Sequence, residues 1–357
     1  MGTLYMVGNT HFDPVWLWTW DEAMASIRAT FRSALDRMLE DGEFCYSFSS
    51  PPVFEWIRKT DPGMFEEIRS RVKEGRWELA EGWWNQPDLW TASGESYVRQ
   101  GLYGQRYLQK TFGMRAVSVT NVDSFGHSAM LPQILSKAGI RYYCFCRPGE
   151  KHVPLRSPSF LWRSPDGSTV EAFRIGGKAG SAWAYDTAEA MQTAKESEGD
   201  MLLFYGVTDH GGAPTKKSIG QIHADPDAVF STVRHFFTCR KPVPDMVWQG
   251  ELMTGDFGVF CNGAEVKKNN RRAEYLLLNA EKASRIAGRP HREELTHAWE
   301  DVMFNLRIGG KRGGIFDGGQ VRGGQRNGFP AGERGRLCAG RDSSGRRKIL
   351  SGSSCAV

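Results

Sequence analysis

Between residues 3 and 145, short apolar runs alternate with amphipathic ones. Residues 3–9 (TLYMVGN) read as a buried strand. Residues 22–40 place Ile27, Phe31, Ala34, Leu35 and Met38 on one face of a helix. Residues 44–49 read as a short strand that ends at Ser49-Ser50-Pro51-Pro52. Residues 62–74 form a helix, with Phe65, Ile68 and Val72 inward and Gly75 as its stop. A strand over 76–84 follows, then a helix over 96–112 stopped by Gly113. A strand over 117–122 runs onto Asp123, a helix over 128–138 stops before Gly139, and residues 140–145 are again a strand. Strands separated by helices join as parallel βα units, so the pattern predicts an α/β fold with a largely parallel sheet. Such sheets carry their sites at the C-terminal ends of the strands.

The chain has 357 residues, 40% hydrophobic and 24% charged, which is ordinary for one large globular domain or two smaller ones. Its net charge of +5 is unevenly spread. The last 52 residues hold 11 Lys and Arg against 3 Asp and Glu, which leaves residues 1–305 at −3. A mildly acidic body argues against nucleic acid as a partner. The N-terminus lacks the pattern of a signal peptide, and no run of about 18 apolar residues suggests a membrane span. The seven cysteines are scattered; Cys144 and Cys146 alternate along a strand but lack CxxC spacing. These features predict a cytoplasmic protein with reduced thiols and no membrane partner.

The strand over 3–9 ends on His11-Phe12-Asp13, followed at once by Trp16, Trp18 and Trp20. Residues i and i+2 of an extended segment point the same way, so His11 and Asp13 share a side and Phe12 faces the other. Taken alone, the pair reads as a local hydrogen-bonded couple. Joined to Asp123 at another strand end, it reads as a metal site, because imidazole and carboxylates suit Zn²⁺ with positions left open for substrate. The tryptophans, most of which precede residue 100, serve either an aromatic core or the wall of a sugar cleft.

Five segments then carry a resemblance: THFDPVWLWTWDE, SGESYVRQGLYGQRY, NVDSFGHS, FLWRSPDGS and YGVTDHGGAPT. Over about residues 1–305, in colinear order, the chain resembles the glycoside hydrolase family 38 α-mannosidases of the bacterial and cytosolic-type branch. The resemblance implies a distorted seven-stranded β/α barrel, followed by a helical bundle, and a zinc-dependent, retaining exo-α-mannosidase acting on α-mannoside oligosaccharides. It makes His11, Asp13 and Asp123 zinc ligands. Asp123 is also the nucleophile, a role that retention through a covalent glycosyl-enzyme requires of one carboxylate. Trp16 corresponds to an apolar wall for the sugar, while Trp18, Trp20, Trp83, Trp84 and Trp90 read as core or rim. Asp209, in the loop that turns through Gly211-Gly212, is the candidate acid/base, with His210 beside it as a sugar contact. An Asp before Gly also commonly bonds only its own turn. A retaining pair predicts carboxyl groups roughly 5–5.5 Å apart.

The sequence departs from the family's pattern in places. Thr208 and Ala213 each stand where a Gly is usual, and Gln86 where a Glu is common, which removes a charge near the cleft. The expected organisation is a catalytic domain over 1–255, an incomplete helical bundle over 256–305 and a disordered tail over 306–357. In the bundle segment, Ala273, Leu276, Leu277 and Ala280 are expected to form the apolar stripe. After Asn305 the resemblance stops within one residue and a Gly/Arg-rich stretch begins, which reads as a frameshift or a truncation. The family's remaining zinc-ligand His would lie there, and no His occurs after His297. A catalytically impaired fragment is therefore the alternative. More remote are another metal-dependent carbohydrate hydrolase and an RNA-binding role for the tail.

Overall fold

The structure is a computed structural model that describes residues 2–16, 18–90, 92–175, 186–206, 211–240, 246–253, 264–289 and 291–306. Its first half follows the expected alternation: β1 (Leu4–Asn9), α1 (Trp20–Glu40), β2 (Tyr46–Ser47), α2 (Pro51–Thr60), α3 (Pro62–Glu74) and β3 (Trp77–Glu78). Then come α4 (Gly94–Phe112), β4 (Ser118–Asn121), β5 (Gly126–His127), α5 (Leu131–Lys137) and β6 (Tyr142–Phe145). The second half adds β7 (Ser159–Arg163), β8 (Thr169–Arg174), α6 (Thr187–Lys195), β9 (Met201–Tyr205), α7 (Lys216–His223), β10 (Ala228–Phe230) and α8 (Val233–Cys239). It closes with β11 (Val247–Gln249), β12 (Leu252–Met253), α9 (Ala264–Ile286) and α10 (Arg292–Asn305).

Local chemistry explains where the boundaries differ from expectation. Helix α1 starts at Trp20 because Thr19 caps it, in a reciprocal box with Glu22. The Ser50-Pro51-Pro52 stretch, read as a strand stop, also begins helix α2. Its prolines occupy the first helical turn, where a missing N–H costs no hydrogen bond. Gly75 and Gly113 end α3 and α4 with φ of 80° and 76°, a conformation that glycine adopts without a Cβ penalty. Strands β2 and β3 are shorter than expected because a side chain takes over their ladder. The Ser49 hydroxyl donates to the Glu81 carbonyl at 2.7 Å and accepts from the Glu81 N–H at 2.8 Å.

Seven of the strands fall into two groups, parallel within each, in different sheets. Backbone ladders pair β9, β1, β2 and β3, and likewise β4, β6 and β8. One bond, Thr120 N–H to Ala80 O at 3.0 Å, links the two groups. β10 lies beside Leu4–Met6 of β1, on the edge that β2 occupies further along. β7 runs antiparallel to β8, with β11 beyond it. Helix α8 ties β1 to β8, since Phe236 meets Tyr5 and Phe173 edge-on at 5.3 and 4.8 Å. Its N-terminus is held by Glu78 of β3, whose carboxylate accepts from the Val233 and Arg234 N–H groups and from the Ser47 and Ser118 hydroxyls.

Helices α9 and α10 dock on α4. Arg99 pairs with Glu281 at 2.7 Å and lies 4.1 Å from the Trp299 ring centroid. Gln100 donates to the Met303 carbonyl at 2.8 Å, and buried Leu306 accepts from the Asp88 N–H at 2.8 Å. The expected stripe of α9 is only partly inward. Ala273 and Leu277 pack on the core, whereas Leu276 is 57% exposed and Ala280 is also exposed. The inward line of α9 includes polar groups. Asn270 bonds the Asn305 carbonyl, and buried Glu274 accepts from Ser93 and Ser96 at the start of α4. The expected disordered tail over 306–357 does not begin at Leu306, which is buried and caps the end of α10; residues 307–357 lie outside the described residues. Among the described residues, no helix is long and apolar enough to cross a membrane.

Candidate metal centre

The site forms where β1 and β4 end. Asn9, the last residue of β1, donates to the Ser47 carbonyl at 2.7 Å. Thr10 donates through its hydroxyl to the Gly212 carbonyl, and the Gly212 N–H donates to Thr30 at 3.2 Å. These bonds tie the strand end to the segment after β9 and aim the next residues. His11 is 6% and Asp13 8% exposed, while Phe12 between them is buried in the core. The Trp18 indole donates to the Asp13 carbonyl at 2.8 Å, and Trp16 packs edge-on against Trp18 at 5.2 Å. Trp18 thus braces the segment that carries His11 and Asp13.

Asp123 follows β4 and is 9% exposed. Its neighbours in sequence are fixed on three sides. Trp83 donates to Asn121 Oδ1 at 2.9 Å, Asn121 donates to Ser124 at 3.1 Å, and the Cys146 thiol donates to the Val122 carbonyl. Cys45, Cys144, Cys146 and Cys239 form no disulfide among the described residues.

Three donors converge across the strand ends. His11 Nε2 lies 3.7 Å from Asp13 Oδ1 and 3.8 Å from Asp123 Oδ2. One ligand atom from each of the three residues falls within 4.8 Å of the others. The two His–Asp distances exceed a hydrogen bond. They resemble donors around a shared ion, since bonds of about 2.0–2.2 Å in a tetrahedral set put ligand atoms roughly 3.3–3.6 Å apart. One imidazole nitrogen and two carboxylates form a borderline-to-hard donor set that fits Zn²⁺.

The other oxygen of Asp123 is occupied differently. The Arg147 guanidinium lies 3.2 Å from Oδ1 and 4.6 Å from the Phe125 ring centroid. Arg147 follows the end of β6, and its carbonyl is bound by His127 Nε2 at 2.6 Å. Tyr143 meets His127 Nδ1 at 2.7 Å. A carbonyl only accepts, so Nε2 carries the proton and Nδ1 accepts from the Tyr143 hydroxyl. Burial holds the His127 imidazole down to about 4, outweighing its bond to the carbonyl, so it is neutral at pH 7.

The structure thus brings His11, Asp13 and Asp123 together, with Trp16 half-buried nearby in sequence. Asp209 and His210 lie outside the described residues, as does Thr208. Trp20, Trp83 and Trp84 are buried in the core, Trp18 and Trp90 are half-buried, and Gln86 is 4% exposed. Sequence reasoning missed Arg147 and His127. The signal for Arg147 was its place two residues past a strand end, the rule that singled out Asp123. His127 stood in the quoted NVDSFGHS segment, but its role depends on a contact with a loop twenty residues away.

Known proteins resemble this chain in sequence and in fold. The family model "Glycosyl hydrolases family 38 N-terminal domain" matches residues 1–245. Alpha-mannosidase 2C1 of Homo sapiens is 28% identical over 323 residues, 85% of this chain and 31% of its own length. Alpha-mannosidase G of Dictyostelium discoideum is 28% identical over 289 residues, 77% of this chain and 26% of its own. The chain therefore spans between a quarter and a third of the length of these curated relatives. Among solved structures, an alpha-mannosidase from Enterococcus faecalis V583 superposes with a TM-score of 0.75 at 18% identity, covering 90% of this chain and 40% of that one. A 4-alpha-glucanotransferase from Thermococcus litoralis follows with 0.57 at 16% identity, covering 83% and 48%. Likeness at these identities concerns the fold, a seven-stranded β/α barrel-like domain.

Proposed function

The chain belongs to glycosyl hydrolase family 38, and from that premise we propose that it is the catalytic portion of a zinc-dependent, retaining exo-α-mannosidase of the cytoplasm. The observation that carries the reading is the convergence of His11, Asp13 and Asp123 within 4.8 Å at the strand ends. The similar curated proteins are named alpha-mannosidases, which supports α-mannosides as the substrate class.

In this reading His11, Asp13 and Asp123 hold zinc, which when bound supplies a Lewis acid for the sugar hydroxyls and fixes the ring. Asp123 attacks the anomeric carbon and the glycosidic oxygen departs with a proton from Asp209. The product of this step is a mannosyl ester on Asp123. Asp209 then takes a proton from water, which attacks the same carbon, releases Asp123 and restores the original configuration. Arg147 steadies the carboxylate that alternates between anion and ester. Trp16 offers an apolar face to the sugar, and His210 a polar contact.

The test is hydrolysis of an aryl α-mannoside by purified protein, with zinc content measured and the product anomer followed by NMR. One zinc per chain, an α-configured first product and loss of turnover in Asp123→Ala are expected. A β-configured first product would remove the retaining mechanism. Protein with neither zinc nor turnover would leave a catalytically impaired relative.

A further inference from the structure

Helix α4 presents a second surface, away from the strand ends. Its inner face, including Tyr97, Gln100, Gly104 and Leu108, is buried. On another face Val98, Leu102 and Arg106 follow one another at intervals of four, one above the next along the helix. Val98 is 49% and Leu102 39% exposed. These three residues line both of two clefts, one of about 620 Å³ shared with α9 and α10 and one of about 430 Å³ shared with α5. Apolar side chains continue into each, Leu295 in the first and Ile134 in the second.

The charge around this ridge is one-sided. Arg285 and Arg292 line the first cleft, Arg115 and Lys137 the second, and Arg106 both. Among the described residues, none of these five cations has a carboxylate within 4.0 Å. The carboxylates in the lining, Glu95 and Glu281, are each held by Arg99 at 2.7 Å. The helices α1 to α3 show the opposite habit: Arg32, Arg58, Arg69 and Arg71 each pair with a carboxylate at 2.7–2.9 Å. A basic patch thus lies on a body whose residues 1–305 are net acidic.

We propose that this face docks an acidic amphipathic helix supplied by another polypeptide. Its apolar stripe lies along Val98 and Leu102, and its flanking carboxylates enter the two clefts, where arginine forks bind them. Charge complementarity selects this occupant. It also disfavours residues 307–357 of the chain itself, which hold 11 Lys and Arg against 3 Asp and Glu.

The experiment is fluorescence anisotropy on the full chain with two labelled synthetic peptides that share one leucine stripe. One carries Glu at the remaining positions and the other Lys. The Glu peptide should bind at least tenfold tighter than the Lys peptide, and added salt should weaken it. Arg106→Glu and Leu102→Asp should each weaken it at least tenfold. Both positions are exposed, so an unchanged thermal midpoint verifies folding. Equal binding of the two peptides, absence of binding, or Glu-peptide binding that survives both substitutions would overturn the proposal. So would a dimer in sedimentation that Leu102→Asp dissolves, since the occupant would then be a second copy.

Discussion

Arg147 and Asp123 meet at 3.2 Å through Oδ1, while Oδ2 of the same carboxylate faces His11 at 3.8 Å. The two oxygens of one residue therefore have separate neighbours, a guanidinium on one side and the His11 imidazole on the other. Removing Arg147 should misplace the proposed nucleophile without emptying the ion site. An ion pair of a partly exposed guanidinium contributes about 1 kcal/mol, so Arg147→Ala is expected to lower kcat by roughly fivefold. Zinc content should remain stoichiometric and Arg147→Lys should recover part of the rate. Steady-state kinetics beside metal analysis on the same preparations checks this.

The buried His127 makes stability depend on pH. Its folded value of about 4 lies below the ordinary 6.5, so between these values the unfolded chain binds the extra proton. Stability is then complete above about pH 6.5 and falls as pH drops toward 4. The shift from 6.5 to about 4 corresponds to a loss on the order of 3 kcal/mol. Denaturant titrations at pH 7, 5.5 and 4.5 should show the decline. His127→Gln should be less stable at pH 7 and should show a shallower dependence on pH; an equally steep one would place the effect elsewhere.

Metal removal should be visible without any substrate. Dialysis against a chelator is expected to lower the thermal midpoint, and zinc at about 100 times its dissociation constant should restore about 2.7 kcal/mol. His11→Ala removes the donor that lies near both carboxylates and should abolish the zinc-dependent part of the midpoint. If zinc stabilised His11→Ala as much as the parent chain, the assignment of His11 as a ligand would fail.

Gly104 permits the closest approach of α4 to the strand layer. A Cβ there would lie 2.4 Å from the Trp83 carbonyl carbon and 2.6 Å from the Gly82 oxygen. Both are backbone atoms, so no side-chain rotation relieves the clash. Gly104→Ala should destabilise the fold by about 1–3 kcal/mol, read as a lower midpoint in urea. Trp83 holds Asn121, two residues before Asp123. The same variant should therefore lower turnover in the fraction that remains folded.

Much of this protein was legible before folding. The extended backbone beyond β1 placed His11 and Asp13 on one side, and the period near four in α1 and α3 placed their core faces. Gly75 and Gly113 stopped two helices where expected, because a left-handed residue is a local requirement. Helix α2 was missed because Pro-Pro reads equally as the end of a strand or the first turn of a helix, and only the following turns decide between them. The stripe expected of α9 was partly misplaced because that helix meets α4 partly through polar groups, Asn270 and Glu274, which hydrophobic periodicity does not register.

The sequence by itself determined the residue types of the candidate metal site, their place at strand ends and the family to which the chain belongs. These are properties of short segments, where backbone geometry and side-chain chemistry are set within a few residues. Only the tertiary structure decided which side chains of distant segments stand within a few ångströms. Thus Asp123 came to face His11, Arg147 took the other oxygen, and Tyr143 and His127 fixed the loop that carries Arg147. Arg106, Arg285 and Arg292 gathered around Val98 and Leu102 in the same way. The physical reason is that hydrogen bonds, ion coordination and ion pairs act over a few ångströms, and such distances between remote residues follow from the packing of whole strands and helices.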